Sequence, residues 1–361
     1  MSPKRILIMA GGTGGHVYPA LAVADSLSEH GTQILWLGTA AGLEARVVPE
    51  RGYTLATIKV AGLRGKSLSR VLFAPFTICL ALFQSIKVIR QFKPEAVLGM
   101  GGYVSGPGGL AAWLLRVPLY IHEQNAIAGF TNRLLAPLAT FVMQGFPDTF
   151  KKSLQVRTTG NPVRKEIADL HSSETNGKNS KNEICLLVLG GSLGARALNQ
   201  IVPEALNTLD SSTALHVWHQ TGTQHLQITK EIYDSHGVKD VRVDAYIEDM
   251  ASAYEWADLV LCRAGALTLA ELCVAGLASV LVPFPYAVDD HQTANARHLS
   301  DAGAAVLLPE SELNASRLAQ ILSSLFEARS RVRDMAAKAH ALAYMNATDQ
   351  VAECCLGGAR A

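Results

Sequence analysis

Short apolar runs alternate with longer amphipathic stretches along most of the chain. The short runs predict buried strands, and the longer stretches have the residue spacing of helices. The predicted strands cover residues 5–10, 33–38, 55–60, 96–99, 118–121, 140–144, 184–189, 214–219, 240–246, 258–262, 278–283 and 304–308. The predicted helices cover residues 18–30, 70–92, 107–116, 195–209, 266–275, 291–301 and 314–328. This alternation indicates parallel, doubly wound sheets with helices on both faces.

A glycine-rich segment follows a predicted strand twice, as GGTGGH at residues 11–16 and as GGSLGA at residues 190–195. Such a turn lets the backbone approach a ligand, and the helix after it offers N–H groups that suit phosphate. The polar stretch 171–183 has the composition of an exposed connection. With 361 residues, the chain is long enough for two domains. We therefore predict an α/β protein with two Rossmann-like, doubly wound domains, 1–163 and 164–342, that face a central cleft.

Charge is distributed unevenly along the chain. Residues 1–163 contain 16 Lys or Arg and 7 Asp or Glu, whereas residues 164–361 contain 16 and 24. This balance favours an anionic partner for the first half, although basic residues scattered over a solvated face would give the same composition. Residues 71–86 are uncharged, but these 16 positions fall short of the roughly 20 needed to cross a bilayer. We expect this segment at most to touch a membrane.

Cysteine usage and the N-terminus both suggest a cytosolic protein. The six cysteines include no C-x-x-C pair, and several lie in apolar runs where a reduced thiol is expected. After Arg5, only five apolar residues precede Gly11, which is too few for a signal peptide. We therefore expect the chain to remain in the cytosol.

Several common nucleotide and metal motifs are absent from the sequence. The third glycine of the dinucleotide motif would fall at Val17, and GLRGKS at 62–67 has Val60 where a P-loop requires glycine. The chain has no H-E-x-x-H, no cysteine–histidine cluster and no D-x-D pair. These observations disfavour an NAD site and provide no obvious carboxylates for a metal-dependent diphosphate site.

Residues 257–285 contain the most distinctive candidate site. They predict a strand, a turn, a helix with Glu271 on its second turn, and another strand. A glutamate there can accept both hydroxyls of a ribose while the helix start faces a diphosphate. The alternative is that Glu271 only supports its own helix. Gln292 and Asn295 share one helix face, where their amides can bind sugar hydroxyls.

These segments resemble the GT-B glycosyltransferases of family 28, the peptidoglycan N-acetylglucosaminyltransferases. The resemblance extends from about residue 5 to residue 300 and rests on several motifs in the same order. The motifs are AGGTGGHVYPA, GLRGK, GMGGYVSGPGG, HEQNAIAG, GNPVR, GGSLGA and CRAGALTLAE. Leu193 departs from the family pattern by replacing a common glutamine, and Ala264 replaces a serine found in some relatives.

The resemblance implies an inverting transfer of N-acetylglucosamine (GlcNAc) from UDP-GlcNAc to the 4-hydroxyl of a lipid-linked muramoyl pentapeptide, with no metal and no cofactor. The implied partners are UDP-GlcNAc, the lipid-linked acceptor, an anionic membrane surface and other cell-wall synthesis proteins, with no nucleic acid. The expected location is the cytoplasmic face of the cell inner membrane, as a peripheral protein. Two alternatives remain open: a UDP-GlcNAc 2-epimerase and a non-catalytic UDP-sugar-binding protein.

The resemblance also implies individual site residues. His16 is favoured as the catalytic base, and the alternative is that it only bonds the diphosphate or caps its helix. Second candidates for base or acceptor contacts are Glu123 and Tyr103, and the expected acceptor-side residues are Thr13, Gly14 and Gly15. Donor-side expectations are Ser192 and Arg164 for the diphosphate, Ile247 for uracil, Glu271 for ribose, Gln292 and Asn125 for GlcNAc, and the helix residues Ala266, Leu267, Thr268, Leu269 and Ala270.

The lipid tail of such an acceptor would explain the basic first half. The predicted membrane patch combines Lys66, Arg70, Lys87 and Arg116 with Leu72, Phe73, Phe76, Leu80, Phe83 and Trp113. The competing interpretation places about half of these apolar residues in the protein core. In GT-B proteins a last helix returns to the first domain, and we expect the same of residues 343–361.

Overall fold

The structure is a computed structural model that describes residues 3–60, 74–151, 154–172, 183–191, 193–209 and 214–358. Internal contacts divide the chain into two units. The first unit comprises Met1–Arg164 together with Asn346–Ala361, and the second comprises Lys165–Met345. Each unit is built around its own parallel sheet.

A seven-stranded parallel sheet forms the centre of the first unit. Its strands are β1 (Arg5–Met9), β2 (Gln33–Gly38), β3 (Thr54–Thr57), β4 (Ala96–Gly99), β5 (Leu119–Glu123), β6 (Phe141–Gln144) and β7 (Val156–Thr158). Their spatial order is β3-β2-β1-β4-β5-β6-β7. Strand β1 therefore lies inside the sheet. Strands β2 and β3 extend the sheet on one side of β1, and strands β4 to β7 extend it on the other side. In this register Ile8 lies opposite both Trp36 and Leu98.

Helices cover both faces of the first sheet. They are α1 (Gly14–Glu29), α2 (Glu44–Glu50), α3 (Ala74–Phe92), α4 (Ser105–Leu114) and α5 (Phe130–Leu135). Strand β1 is apolar at four successive positions because both of its faces are buried. Ile6 and Ile8 face a core shared with α1, whereas Leu7 and Met9 face a core shared with α3 and α4.

The second unit repeats this arrangement with six parallel strands. The strands are β8 (Glu183–Leu189), β9 (Ala214–Gln220), β10 (Val241–Asp244), β11 (Leu259–Cys262), β12 (Ala278–Leu281) and β13 (Ala305–Leu307), in the spatial order β10-β9-β8-β11-β12-β13. The helices are α6 (Lys165–Ala168), α7 (Arg196–Asn207), α8 (Leu226–Ser235), α9 (Met250–Trp256), α10 (Ala266–Ala275), α11 (His291–Asp301), α12 (Ala315–Glu327) and α13 (Arg329–Ala341). Its main core joins alternate residues of β8 and β11 to α7 and α12.

Helix α14 (Ala347–Glu353), which follows the second unit in the sequence, packs against α1 in the first unit. Val351 is fully buried and belongs to the same core as Ile6 and Ile8. On the rim of this contact, the Ser26 hydroxyl donates to Asp349 Oδ1 at 3.0 Å. The core of the first unit is therefore built from both ends of the sequence.

The predicted fold class, with two doubly wound parallel sheets, is confirmed. Every predicted strand has a counterpart in the structure, and β7 is an additional edge strand that the sequence pattern did not indicate. Helix α1 begins at Gly14, four residues before the predicted start, because tertiary packing overrides the poor helix propensity of its first two glycines. Among the helices of the described residues, none combines the length and the apolar character that crossing a bilayer requires.

Candidate active site

Both sheets contain a switch point beside the first strand, where the order in which successive strands are added reverses direction. In the first unit this point lies between β1 and β4, and in the second it lies between β8 and β11. Doubly wound sheets bind ligands outside the carboxyl ends of their strands at such points. The two glycine-rich segments follow β1 and β8, so each unit has a candidate ligand site there.

The first glycine turn leads directly into α1. Gly12 has a φ of 92°, which favours glycine, and the carbonyl of Thr13 accepts from the N–H groups of His16 and Val17 at 3.1 and 3.2 Å. Gly12, Thr13 and Gly15 are exposed, and Gly14 is half-buried. The N–H groups of the first helical turn therefore lie beside an accessible surface, an arrangement that suits an anion.

A buried carboxylate that sequence analysis missed supports this turn. Glu44 is fully buried and accepts from the Gly12 N–H at 3.0 Å, the Thr39 N–H at 2.9 Å and the Thr39 hydroxyl at 2.7 Å. Gly42 leaves room for it, since a Cβ there would lie 2.1 Å from Glu44 Oε2. Glu44 thus joins the turn after β1 to the turn after β2.

A second glycine turn, after β4, packs against the first. A Cβ at Gly101 would lie 2.7 Å from His16 Nδ1, and a Cβ at Gly102 would lie 2.2 Å from the carbonyl oxygen of Gly11. Only glycine therefore fits at these two positions. The next residue, Tyr103, is 56% exposed and lies close to Gly12, so its ring borders the same accessible surface.

His16 belongs to a chain of side-chain hydrogen bonds that reaches into the protein. His16 Nδ1 lies 3.1 Å from Gln124 Oε1, and Gln124 Nε2 donates to the Met100 carbonyl at 2.9 Å. Gln124 Nε2 also lies 3.2 Å from His122 Nδ1, and His122 Nε2 lies 2.9 Å from the carbonyl of Gly160. Burial lowers the pKa of His122 to about 4, so this ring is neutral at neutral pH.

Glu123 holds the loop that follows β5. Its Oε1 accepts from the Asn125 N–H at 3.0 Å and from Asn125 Nδ2 at 3.2 Å. Its Oε2 accepts from the Gly129 N–H and from Asn132 Nδ2, both at 2.9 Å. A carboxylate offers about four lone-pair sites, and these donors occupy that number. This bonding favours a positioning role for Glu123 over the proposed proton transfer.

The GNPVR segment lies against the same part of the first sheet. Asn161 Nδ2 donates to the carbonyl of Gln124 at 3.0 Å, and Gly160 accepts from His122. Arg164, expected at the diphosphate, is the last residue of the first unit before Lys165. Four motifs that are far apart in the sequence, those around His16, Tyr103, Glu123 and Arg164, therefore meet at one edge of the first sheet.

The glycine turn of the second unit packs against the residues that follow β9. Gly194 has a φ of 79°, and a Cβ there would lie 1.9 Å from the carbonyl oxygen of Thr221, after β9. Gln220 connects this turn to a predicted site residue, because its amide nitrogen donates to the Gly191 carbonyl at 3.1 Å and its oxygen accepts from the Ile247 N–H at 3.0 Å. Sequence analysis missed Gln220. Ser192 lies outside the described residues.

Helix α10 begins where the sequence predicted, directly after Gly265. Ala266 is buried, whereas Leu267, Thr268 and Ala270 are half-buried near the helix start. Leu269 is fully buried, and its N–H donates to the Gly265 carbonyl at 3.0 Å, so its contribution is to the start of the helix. Further along, the hydroxyl of buried Tyr254 donates to Glu271 Oε2 at 2.8 Å and fixes the carboxylate predicted to bind ribose.

The two amides predicted to bind sugar hydroxyls differ in environment. Gln292 is half-buried, and its oxygen accepts from the Phe284 N–H at 2.9 Å, which turns its amide nitrogen away from that contact. Asn295 is fully buried and donates to the Ala264 carbonyl at 3.2 Å. The prediction for Asn295 is therefore wrong, because its side chain holds the turn before α10. Across the described ranges, no three His, Cys, Asp or Glu side chains are grouped as a metal site would need.

Two family models match the chain, one in each unit. The glycosyltransferase family 28 N-terminal domain matches residues 6–144, and the glycosyltransferase family 28 C-terminal domain matches residues 185–351. The chain belongs to glycosyltransferase family 28. Both glycine turns lie within the matched ranges, one in each.

Individual family 28 relatives are similar over the whole length of the chain. A UDP-N-acetylglucosamine–N-acetylmuramyl-(pentapeptide) pyrophosphoryl-undecaprenol N-acetylglucosamine transferase from Nitrosococcus oceani is 53% identical over 352 residues, which is 98% of both chains. The protein of the same name from Shewanella denitrificans is 50% identical over 362 residues, covering 100% of this chain and 98% of its own.

Solved structures agree with the family 28 assignment. The crystal structure of Acinetobacter baumannii MurG matches with a TM-score of 0.84 and 42% identity, over 98% of this chain and 100% of that one. A UDP-GlcNAc 2-epimerase from Neisseria meningitidis matches with a TM-score of 0.67 at 14% identity, over 98% of this chain and 100% of its own, which shows a shared fold alone. The GT-B fold predicted for the chain is confirmed, and the chain is a glycosyltransferase.

The variant Glu123→Gln tests what Glu123 does in this family 28 protein. An amide has one oxygen and would turn its NH₂ group toward donors, and each lost bond to a charged group costs about 1.5–3 kcal/mol. We expect backbone amides of residues 125–132 to exchange hydrogen about 10–100 times faster, together with a raised KM. Mass spectrometry after deuterium exchange measures this.

The matched control for this variant is Glu95→Gln, because Glu95 also accepts a backbone N–H, that of Arg5 at 3.3 Å, but at an exposed site. We expect this control to leave the 125–132 segment unchanged. A large loss of kcat in Glu123→Gln with unchanged exchange would instead support a direct catalytic role for Glu123.

Proposed function

We propose that this glycosyltransferase moves GlcNAc from UDP-GlcNAc to the 4-hydroxyl of N-acetylmuramyl-pentapeptide pyrophosphoryl-undecaprenol. The observation that carries the proposal is the identity of about half of all residues with the N. oceani and S. denitrificans transferases, over the full length of each. Both relatives are named for this activity. The geometry of the two candidate sites then suggests a role for each unit.

The second unit is the proposed donor site. Helices α7 and α10 begin at the carboxyl ends of β8 and β11, which are neighbouring strands. Two helix N-termini side by side supply partial positive charge for the diphosphate of the nucleotide sugar. Gln220 holds Ile247 near the glycine turn, where uracil would bind. Tyr254 fixes Glu271, whose carboxylate has the capacity to accept ribose hydroxyls as well.

We assign the sugar and leaving-group contacts to four residues that the sequence predicted for them. The amide of Gln292 would donate to a hydroxyl of GlcNAc, since its oxygen already accepts from Phe284. Asn125, whose amide is oriented by Glu123, is the proposed second contact. Arg164 and Ser192 would bind the diphosphate as the negative charge on UDP develops.

The first unit is the proposed acceptor site. Thr13, Gly14 and Gly15 form the start of α1, and the exposed ring of Tyr103 borders it. His16 follows directly and presents an imidazole, the side chain that most often acts as a general base in enzymes. In the proposed step the muramoyl 4-hydroxyl oxygen bonds to the anomeric carbon of GlcNAc, and His16 takes the hydroxyl proton. The bond from that carbon to the diphosphate breaks, and UDP leaves with its electron pair.

An exposed apolar surface on the first unit is the proposed membrane contact. Phe76 and Phe83 of α3 are 71% and 70% exposed, and their spacing of seven residues places them on one helix face. Helix α3 packs on α4, which packs on α5, and these two helices add further exposed residues: Trp113, Leu114, Phe130 and Leu134.

Basic side chains accompany this surface. Lys87, Arg90 and Arg116 are exposed on α3 and after α4, and cations beside apolar residues suit an anionic leaflet. Leu80 is half-buried, as the competing interpretation requires for part of the patch. Lys66, Arg70, Leu72 and Phe73 lie outside the described residues. We therefore propose peripheral attachment of this face to anionic lipid on the cytoplasmic side of the inner membrane.

Release of UDP tests the proposed reaction. With UDP-GlcNAc and an undecaprenyl-diphospho-muramoyl pentapeptide, or a shorter-chain analogue, we expect UDP to appear only when the acceptor is present, and we expect release to persist in EDTA. Release without acceptor, conversion of UDP-GlcNAc to its 2-epimer, or binding without turnover would each contradict the proposal. The second outcome would indicate an epimerase, and the third a binding protein.

The variant His16→Ala tests the proposed base. General base catalysis contributes about 10²–10⁴ in rate, so we expect kcat to fall at least about 100-fold. The Kd for UDP-GlcNAc should change less than about threefold, because His16 is assigned to the acceptor hydroxyl and not to a donor contact. His30→Ala is the matched control, since His30 caps the other end of the same helix and its ring nitrogen Nδ1 lies 2.8 Å from the Ser26 carbonyl. Unchanged turnover in His16→Ala would remove His16 from the mechanism.

Sedimentation with vesicles of anionic and of neutral lipid tests the membrane proposal. We expect binding to the anionic vesicles that weakens as salt rises. Replacing both Phe76 and Phe83 by Ser should weaken it at least about tenfold, since burying one Phe contributes about 1.5–3 kcal/mol. Ile228→Ser is the control, because Ile228 is a 52% exposed apolar residue of the second unit. Equal binding by the double variant would contradict the assignment of this face.

A further inference from the structure

In the hydrogen-bond chain that runs from His16 through Gln124 to His122, donors and acceptors can be assigned atom by atom. A backbone carbonyl only accepts hydrogen bonds. The atom of Gln124 that lies 2.9 Å from the Met100 carbonyl must therefore be the amide nitrogen. The amide oxygen of Gln124 consequently faces His16 Nδ1, at 3.1 Å. The orientation of the Gln124 amide is fixed by an atom of the main chain.

The orientation of Gln124 determines the protonation of His16. An amide oxygen has no hydrogen to donate, so the bond between Gln124 Oε1 and His16 Nδ1 requires a proton on Nδ1. In the neutral ring Nε2 then carries the lone pair. We propose that Gln124 is a positioning residue, which holds His16 in the Nδ1–H tautomer and so presents Nε2 as the proton acceptor. This inference rests on the proposed function for its kinetic consequence, but the tautomer itself does not.

His122 supports the same orientation from inside the protein. The ring is fully buried and neutral, and its Nε2 donates to the carbonyl of Gly160 at 2.9 Å. Its Nδ1 therefore carries a lone pair and accepts the second amide hydrogen of Gln124, at 3.2 Å. Turning the Gln124 amide over would place its oxygen against both the Met100 carbonyl and this lone pair. His122 thus acts on His16 through Gln124, and every donor in the chain has an acceptor.

The surroundings keep the His16 ring where Gln124 can reach it. Gly101 lies against the ring, and a Cβ there would come within 2.7 Å of Nδ1. The ring follows the exposed glycine turn at residues 11–15 and is itself half-buried. Nδ1 therefore faces the protein interior, and the remaining ring nitrogen is the one available to a hydroxyl bound at the turn. Without an acceptor at position 124, either ring nitrogen could hold the proton.

Nitrogen NMR of protein with ¹⁵N-labelled histidine tests the tautomer directly. The two ring nitrogens of each neutral histidine give different shifts according to which is protonated, and the His16→Gln variant identifies the His16 signals by their loss. We expect a protonated Nδ1 and an unprotonated Nε2 for His16, and the opposite tautomer for His122. A protonated Nε2 on neutral His16, or a mixture of the two forms, would overturn the proposal.

Variants of Gln124 test its role. Gln124→Leu removes the acceptor, and we expect a mixed tautomer at His16 and a fall in kcat of about tenfold or more, with KM for UDP-GlcNAc within about twofold. Gln124→Glu in its protonated form keeps both contacts, since its hydroxyl can donate to the Met100 carbonyl and its other oxygen can accept from His16 Nδ1. We therefore expect it to restore the Nδ1–H tautomer. Gln124→Glu also provides the test if the leucine variant does not fold.

Gln144→Leu is the matched control. Gln144 is also a buried amide at the end of a strand of the first sheet, where it donates to the Thr158 hydroxyl at 2.9 Å and accepts from the Phe150 N–H at 3.2 Å. We expect its loss to lower stability without changing the His16 tautomer. If Gln124→Leu kept both the single tautomer and its kcat, the positioning role would be wrong even though GlcNAc transfer continued. The expected tautomers in a protein without transfer activity would instead contradict only the proposed function.

Discussion

Two backbone turns of the first unit approach each other so closely that no side chain fits between them. The turn after β4 contacts the turn after β1, and even a methyl group at Gly102 would collide with the carbonyl of Gly11. Because of this contact, the His16 ring lies against Gly101 and within reach of Gln124. The position of the His16 ring thus depends on the absence of side chains at Gly101 and Gly102.

In the second unit a glycine turn also packs against main chain, but the main chain belongs to a different strand end. There a Cβ at Gly194, in the glycine turn after β8, would collide with the carbonyl of Thr221, after β9. The corresponding place in the first unit, after β2, is occupied by the carboxylate of Glu44. A side chain in one unit and a main-chain carbonyl in the other therefore brace equivalent turns. Two sheets with the same order of their first six strands therefore differ in what surrounds their glycine turns.

The sequence predicted the features that depend on local pattern. Strands were found because buried parallel strands are apolar on both faces, and the glycine turns were found because they require residues without side chains. The start of α10 and the position of Glu271 followed from the same local reasoning. Sequence pattern also located the apolar face of α3, although it could not separate exposed Phe76 from half-buried Leu80.

Residues whose role depends on a distant partner could not be found from the sequence. Glu44 interacts with Gly12, Gln220 with Ile247, and Gln124 with His16, and no spacing rule connects such pairs. Asn295 illustrates the opposite error, a residue predicted for the site that serves the fold. Its helical spacing from Gln292 was interpreted correctly, but its side chain is buried and its amide donates to the carbonyl of Ala264. Whether a polar side chain meets solvent or main chain is decided by tertiary packing, which a single sequence does not contain.

The packing of α14 on α1 has a consequence for how the protein is made. Residues Lys165–Met345 are inserted, in chain order, between the two segments that build the first unit. During synthesis the second unit can complete its own core, whereas the core around Ile6 and Ile8 lacks Val351 until residue 351 has left the ribosome. The half of the protein that is translated first is therefore the last to finish folding. A chain that stops short of α14 would keep a complete second unit and leave an apolar surface exposed on the first.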